Sequence, residues 1–341
     1  MNIRKIAELA GVSPSTVSRV LNNTKAVSPE VKERVYKAIH ETNYVPNTIK
    51  RQAKTVAAVI PSHFTAHGWS GEILDGILDG AGNHPVTLIR QEALGATVPY
   101  WQQQVRAGLK GVLFVATERI HRITPLLRQV GIPYVVAGRG AADDHWVWCD
   151  TITIVAQALE MLYQKGHRRI AFVGYPGPQP DHIDRLRTYR CYMEKRGLAP
   201  QETLLTIGKP LSADIIRFMD QPSPPTAVFV AGSNTAVFTL SLMAEKGIAV
   251  PDDLELAAIG PHSVLEARQP PLPLIQRQLR AGVMLAMESL LSLATSTPER
   301  LIQKTLPSRL VCGDAVIEPY SLPKSIEDGI AAMLQPHYQS N

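Results

Sequence analysis

Apolar residues recur at helical spacing through the first forty positions and then change rhythm. Ile3, Ile6, Ala7, Leu9 and Ala10 repeat every three or four residues. Gly11 follows with the freedom for a sharp turn, and Ser13-Pro14 supplies a side-chain cap and a first-position proline for a second helix. Val17, Val20 and Leu21 form the apolar stripe of that helix, leaving Pro14, Ser15, Thr16, Ser18, Arg19 and Asn22 on its outer surface. A further Ser-Pro start at 28–29 opens a third helix in which Val31, Val35, Ala38 and Ile39 repeat. The pattern predicts an all-α three-helix head built around a helix-turn-helix hairpin.

After the polar, proline-led stretch "VPNTIKRQAK", which reads as a linker, strand-length apolar runs alternate with amphipathic segments. "TVAAVIP", "PVTLIR", "GVLFVA" and "IPYVVAG" are separated by "EILDGILDGA", "YWQQQVRAG" and "ITPLLRQVG". The alternation restarts with helix "TIVAQALEMLYQKG", strand "RRIAFVG", helix "DRLRTYRCYMEKRG", strand "AVFVAG", helix "NTAVFTLSLMAEKG" and strand "LELAAIG". This predicts an α/β body of two doubly wound lobes in series, with a ligand cleft at the carboxyl ends of the strands. Further on, "SIEDGIAAMLQ" reads as one more short helix that packs on the body or on a partner.

Charge sharpens the picture. Residues 1–55 carry ten Lys/Arg against four Asp/Glu, a net of +6, whereas the rest of the 341-residue chain carries 25 against 26, a net of −1. An ordinary helical hairpin would share the spacing of the head. A basic head on a neutral body, however, is what neutralisation of DNA phosphates requires, and short hydrogen-bonding side chains beside an arginine suit a helix entering the major groove. The three cysteines, Cys149, Cys191 and Cys312, lie far apart with no CxxC pair or histidine at ligand spacing, so they are expected to be reduced structural thiols with no metal and no cofactor. No apolar run is long enough to span a bilayer and no signal-peptide core is present, so a cytoplasmic protein is expected. The nucleophile elbow, the Walker loop, H-E-x-x-H and a G-x-G-x-x-G after a strand are all missing, which argues against an enzyme. A transport-type sugar-binding protein would share the two lobes but have no use for the basic head.

The segments "IRKIAELAGVSPSTVSRVLNN" and "AVSPEVKERVYKAIHETNYVPN" resemble the DNA-binding head of the lactose-repressor (LacI/GalR) family of bacterial transcription regulators. "GIPYVVAG", "GHRRIAFVG", "PTAVFVAG" and "GIAVPDDLELAAIG" followed by "PPLPLIQRQ" extend the resemblance through the body, to about residue 313. It implies a helix-turn-helix domain at 1–46, a hinge at 47–55, an effector-binding and dimerisation body at 56–315 and a C-terminal extension at 316–341. The body would divide into an N-lobe of about 56–150 and 276–305 and a C-lobe of about 151–275 and 306–315. It further implies a homodimer that binds a pseudo-palindromic double-stranded operator and represses a carbohydrate or sugar-acid operon until a small effector releases it, induction being favoured over co-repression.

By correspondence Pro14, Ser15 and Arg19 fall at base-reading positions, Thr16, Ser18 and Asn22 at backbone and groove contacts, and Ile3, Asn47, Lys50 and Arg51 complete the DNA-binding set. The chain departs from the family in its hinge: Ala53 stands where relatives carry a wedge leucine, Lys50 replaces an alanine, and the linker is about four residues short. Weaker or absent kinking of the operator by intercalation is expected.

In the cleft, the acidic positions of sugar-binding relatives are replaced by Gly232-Ser233-Asn234 and Gly260-Pro261-His262, while Arg185 matches the family's ligand arginine. Loss of carboxylates beside a kept arginine favours an anionic ligand. "TERIH" (117–121) resembles the corresponding segment of gluconate and idonate repressors, pointing to a sugar acid, with a phosphosugar or neutral sugar as alternatives. Arg185 is expected to hold a carboxylate, Arg119 or His262 to act as a further positive or donor group beside it, and Ser62, Thr117, Glu118, Ser233 and Asn234 to meet hydroxyls. Asp150, at the crossover between lobes, is expected to be a structural or hinge residue.

Overall fold

The computed structural model describes residues 3–22, 27–42, 55–61, 64, 68–117, 120–175, 180–204, 215, 219–260, 262–296 and 300–334. The head is formed by α1 (Ile3–Ala10), α2 (Pro14–Asn22) and α3 (Pro29–Thr42), closed over Ile6, Ala10, Val17, Val20, Val35 and Ile39. Gly11 sits at φ +62°, where a side chain is disfavoured, and the Val12 amide closes the turn on the Ala7 carbonyl at 2.9 Å. Ser13 Oγ accepts from the Thr16 amide at 3.1 Å, so the cap foreseen from Ser-Pro is present. Leu9 departs from the apolar set and is half exposed: three residues advance a helix by about 300°, which leaves it at the stripe's edge.

The first lobe is a six-stranded sheet in the order β11-β5-β4-β3-β1-β2. Its strands are β1 (Thr55–Ile60), β2 (Val86–Arg90), β3 (Leu109–Val115), β4 (Tyr134–Ala137), β5 (Trp146–Cys149) and β11 (Gln303–Leu306), every neighbouring pair parallel. The helices α4 (Ser70–Ala81), α5 (Val98–Arg106) and α6 (Ile120–Val130) alternate with them. The runs "VAAVI" and "LFV" are buried on both faces, as a covered parallel sheet demands.

The second lobe is a seven-stranded sheet, β13-β12-β10-β9-β8-β6-β7. β6 (Ile170–Gly174), β7 (Gln201–Leu204), β8 (Ala227–Val230), β9 (Glu255–Ile259) and β10 (Pro273–Gln276) are parallel. β12 (Arg309–Cys312) and β13 (Ala315–Ile317) then run antiparallel along its edge. α7 (Ile152–Gln164), α8 (Pro180–Lys195), α9 (Ser233–Glu245) and the single turn α10 (Ser263–Glu266) belong to this lobe. The chain crosses between lobes after β5, after β10 and after β11. At the first crossing Asp150 Oδ1 accepts from the amides of Ile152 and Thr153 at 2.9 and 3.0 Å, satisfying the exposed donors of the α7 start.

α11 (Leu279–Leu293) returns to the first lobe and crosses α4. The crossing is close because Gly76 and Gly80 lie one turn apart on α4: a Cβ at either would meet a backbone carbonyl of α11, that of Arg280 or Met284, at 2.5 Å. Gly80→Val is expected to force the helices apart and cost about 1–3 kcal/mol, read as a lower urea midpoint; an unchanged midpoint would refute the close crossing.

The extension ends in α12 (Lys324–Leu334), whose Ile326 and Ile330 join the core beneath α7 and α8. Gly329 allows the approach, since a Cβ there would meet Cys191 Sγ at 2.6 Å. Of the two placements open to this helix, the structure shows it on the body.

Candidate functional site

Two faces carry the chemistry. On the head, Pro14, Ser15 and Arg19 are exposed along α2, while Thr16, Ser18 and Ile3 are half-buried. The Ser13 hydroxyl bridges those of Ser15 and Thr16 at 2.8 Å each, so the cap also orients two side chains of the outer face. Asn47, Lys50 and Arg51, and with them the hinge up to residue 54, lie outside the described residues, as does the side chain of Asn22, while Thr55 already opens β1.

The second face is a cleft of about 250 Å³ between the lobes, at the carboxyl ends of β1, β3, β4, β5, β6, β8 and β9. Trp69, Ile73 and Ile120 wall it from the first lobe, Tyr175 and Ile259 from the second, and Trp148 and Cys149 from the crossover. Ala116, directly after β3, holds φ +47°, a conformation costly for an L-residue and one that collects at functional sites.

Its polar centre is Asp181 on α8. Oδ1 accepts from Trp148 Nε1 at 2.9 Å, and Oδ2 faces Arg185 Nη2 at 3.2 Å and Arg277 Nη1 at 3.8 Å. Arg185 Nη1 also donates to the Ala231 carbonyl at 3.1 Å. One carboxylate thus serves two guanidiniums, and among the described residues the buried Nε atoms of Arg185 and Arg277 and the buried Thr117 Oγ1 meet no partner. Burial pulls the Arg185 guanidinium down to about 10, with Asp181 opposing the shift. The N-terminus of α9 opens on the same space through Gly232, Ser233 and Asn234, adding the positive end of a helix dipole.

At the cleft edge Arg139, which follows β4, reaches across to Asp184 of α8 at 2.8 Å, both side chains buried. Its guanidinium also donates to the Met333 carbonyl in α12 and lies 5.5 Å from the Trp148 ring centre. Burial raises the Asp184 carboxyl above the usual range, and Arg139 opposes it. Burial likewise pushes the thiol of Cys149 up to about 11 and raises Cys191 and Cys312, which leaves little reactive thiolate.

Of the expected cleft residues, Arg185, Thr117, Ser233 and Asn234 line the cavity. Ser62, Glu118 and Arg119 lie outside the described residues. His262 is not on the cavity wall: the chain turns after β9 into α10, and His262 Nδ1 caps that turn by accepting from the Val264 amide at 3.2 Å. Asp181, Arg277 and Arg139 were not foreseen. Asp181 had a readable signal, standing four residues before Arg185 on one helix face; Arg139 and Arg277 had none, because only the closed tertiary fold brings them in.

Residues 2–47 match the family described as bacterial regulatory proteins, lacI family, and residues 159–316 match a periplasmic binding protein-like domain. The chain is 30% identical over 296 residues to the HTH-type transcriptional regulator CelR of Thermobifida fusca, across 79% of this chain and 85% of that protein. It is 26% identical over 309 residues to the HTH-type transcriptional repressor PurR of Vibrio atlanticus (strain LGP32), across 85% and 90%. The solved CelR-cellobiose complex superposes with a TM-score of 0.65 at 25% identity, covering 92% of this chain and all 100% of that one. A lac repressor dimer bound to operator and the anti-inducer ONPF gives 0.64 at 21% identity, covering 91% and 97%, a likeness of fold.

Proposed function

This chain belongs to the lacI family of bacterial regulatory proteins and is a transcriptional regulator; from that premise we propose that it is a dimeric repressor released from its operator by an anionic sugar derivative, a sugar acid above all. The observation that carries the ligand class is Asp181 shared between Arg185 and Arg277, each keeping a buried Nε that meets no acceptor among the described residues. A ligand carboxylate would complete both guanidiniums by charge-assisted hydrogen bonds, with the α9 N-terminus adding attraction. The aromatic walls Trp69, Trp148 and Tyr175 favour a second reading, a neutral saccharide stacked on those rings; the CelR relative is solved as a complex with cellobiose.

A thermal-shift screen separates the two, because a ligand of the folded state raises the melting temperature by mass action. Gluconate and related acids are expected to shift it and cellobiose not to; the reverse result would overturn the anionic reading. For the head, selection from a random duplex pool is expected to enrich an inverted repeat whose binding falls steeply with salt. Arg19→Ala is then expected to cost about 1–3 kcal/mol and to flatten the preference at one base pair per half-site. Enrichment of no sequence would overturn the DNA-reading role.

A further inference from the structure

Gln102 is a polar residue on a helix that serves the first lobe, yet only 5% of it is exposed. Its neighbour Trp101 packs into the lobe core, and the partners of Gln102 lie elsewhere. Nε2 donates to Tyr36 Oη at 3.2 Å and to the Val20 carbonyl at 3.5 Å, both in the head. Val20 stands in the last turn of α2, where carbonyls have no partner within the helix. Tyr36, only 8% exposed, has its hydroxyl pushed toward the protonated form by burial, with the Gln102 bond opposing. Beside this contact α3 lies against α6, the helix whose first residue, Ile120, lines the cleft.

The docked arrangement leaves Pro14, Ser15 and Arg19 exposed. The contact therefore does not mask the reading surface; it aims it. A side chain that caps the end of α2 and ties it to α3 from outside the head removes the freedom a tethered domain would otherwise have.

We propose that Gln102 is a specificity-determining positioning residue: it locks α2 to the first lobe, so that the separation of half-sites read by a pair of heads is set by the lobe and moves with α6. This rests on the DNA-reading role of the head. Because α6 touches the cleft at one end and the head along its side, a shift of that helix on ligand entry re-aims the recognition surface.

The test uses the full chain with Gln102→Ala, Tyr36→Phe and the double variant. In hydrogen exchange without DNA, amides of α2 and α3 in Gln102→Ala are expected to exchange several-fold faster than in the unaltered chain, with the double variant no faster than Gln102→Ala. With the inverted repeat enriched from the random pool, spacer length is then varied. The unaltered chain is expected to prefer one spacing, and Gln102→Ala to lose about tenfold of that preference, the worth of one buried pair left half-made, while affinity for a single half-site stays the same. Head amides exchanging at the unaltered rate, or a spacing preference retained in Gln102→Ala, would overturn the proposal. A pool that enriches no duplex would instead sink the DNA-reading role, and the exchange result would still decide the docking.

Discussion

Exchanging Arg185 for methionine is expected to abolish the response to an anionic effector while leaving operator binding intact. The guanidinium lies buried at the cleft, anchored by the Ala231 carbonyl and Asp181, so it meets a ligand without first shedding water. Removing one partner of such a desolvated, charge-assisted pair costs about 2–5 kcal/mol, roughly 30- to 5,000-fold in Kd. Methionine keeps most of the volume, and Asp181 keeps Trp148 and Arg277, so the cavity is not left with a stranded carboxylate. Arg185→Lys keeps the charge without the planar fork and is expected to fall between. Calorimetric titration with whichever acid raises the melting temperature reads the loss; a methionine variant binding that acid with undiminished affinity would contradict the role given to Arg185.

The largest effect on stability is expected from Asp184→Ala. The carboxylate is 2% exposed and faces a guanidinium that is itself buried, so truncation strands a charge rather than merely deleting a contact. Breaking a buried pair from one side costs about 3–5 kcal/mol, or about 10 °C in melting temperature for a unit of this size. Joint replacement by apolar residues, Arg139→Met with Asp184→Leu, is expected to recover much of the loss, because the desolvation of both ions is removed together. Thermal unfolding of the three variants checks this; an Asp184→Ala variant melting with the unaltered chain would show that the pair does not hold the lobes.

What the sequence made legible was local. The Ser13-Pro14 helix start and the Gly11 turn follow from capping and backbone chemistry within four residues, and the long periodic helices α7, α8 and α9 follow from their apolar spacing. The strands β5, β7, β11 and β12, each of four residues, and the three-residue β13 are too short to show a period, so the antiparallel edge of the second sheet was not anticipated. The cleft was legible in outline, as the carboxyl ends of strands, and Arg185 through resemblance. Its other cations come from segments far apart in sequence, after β4 and after β10, and converge only once the lobes close. His262 shows the limit in reverse: a residue following a strand end was expected to face the ligand, but the local need to cap α10 claimed it. Nothing in "YWQQQVRAG" sets Gln102 apart from the glutamines beside it, because the partners that bury it are in another domain.

The grip of Arg139 on the Met333 carbonyl joins the last described helix to the boundary of the two lobes. A peptidase that trims into α12 would therefore remove a brace from the waist of the clamshell. Preparations that differ in whether α12 is whole would differ in how readily the lobes part.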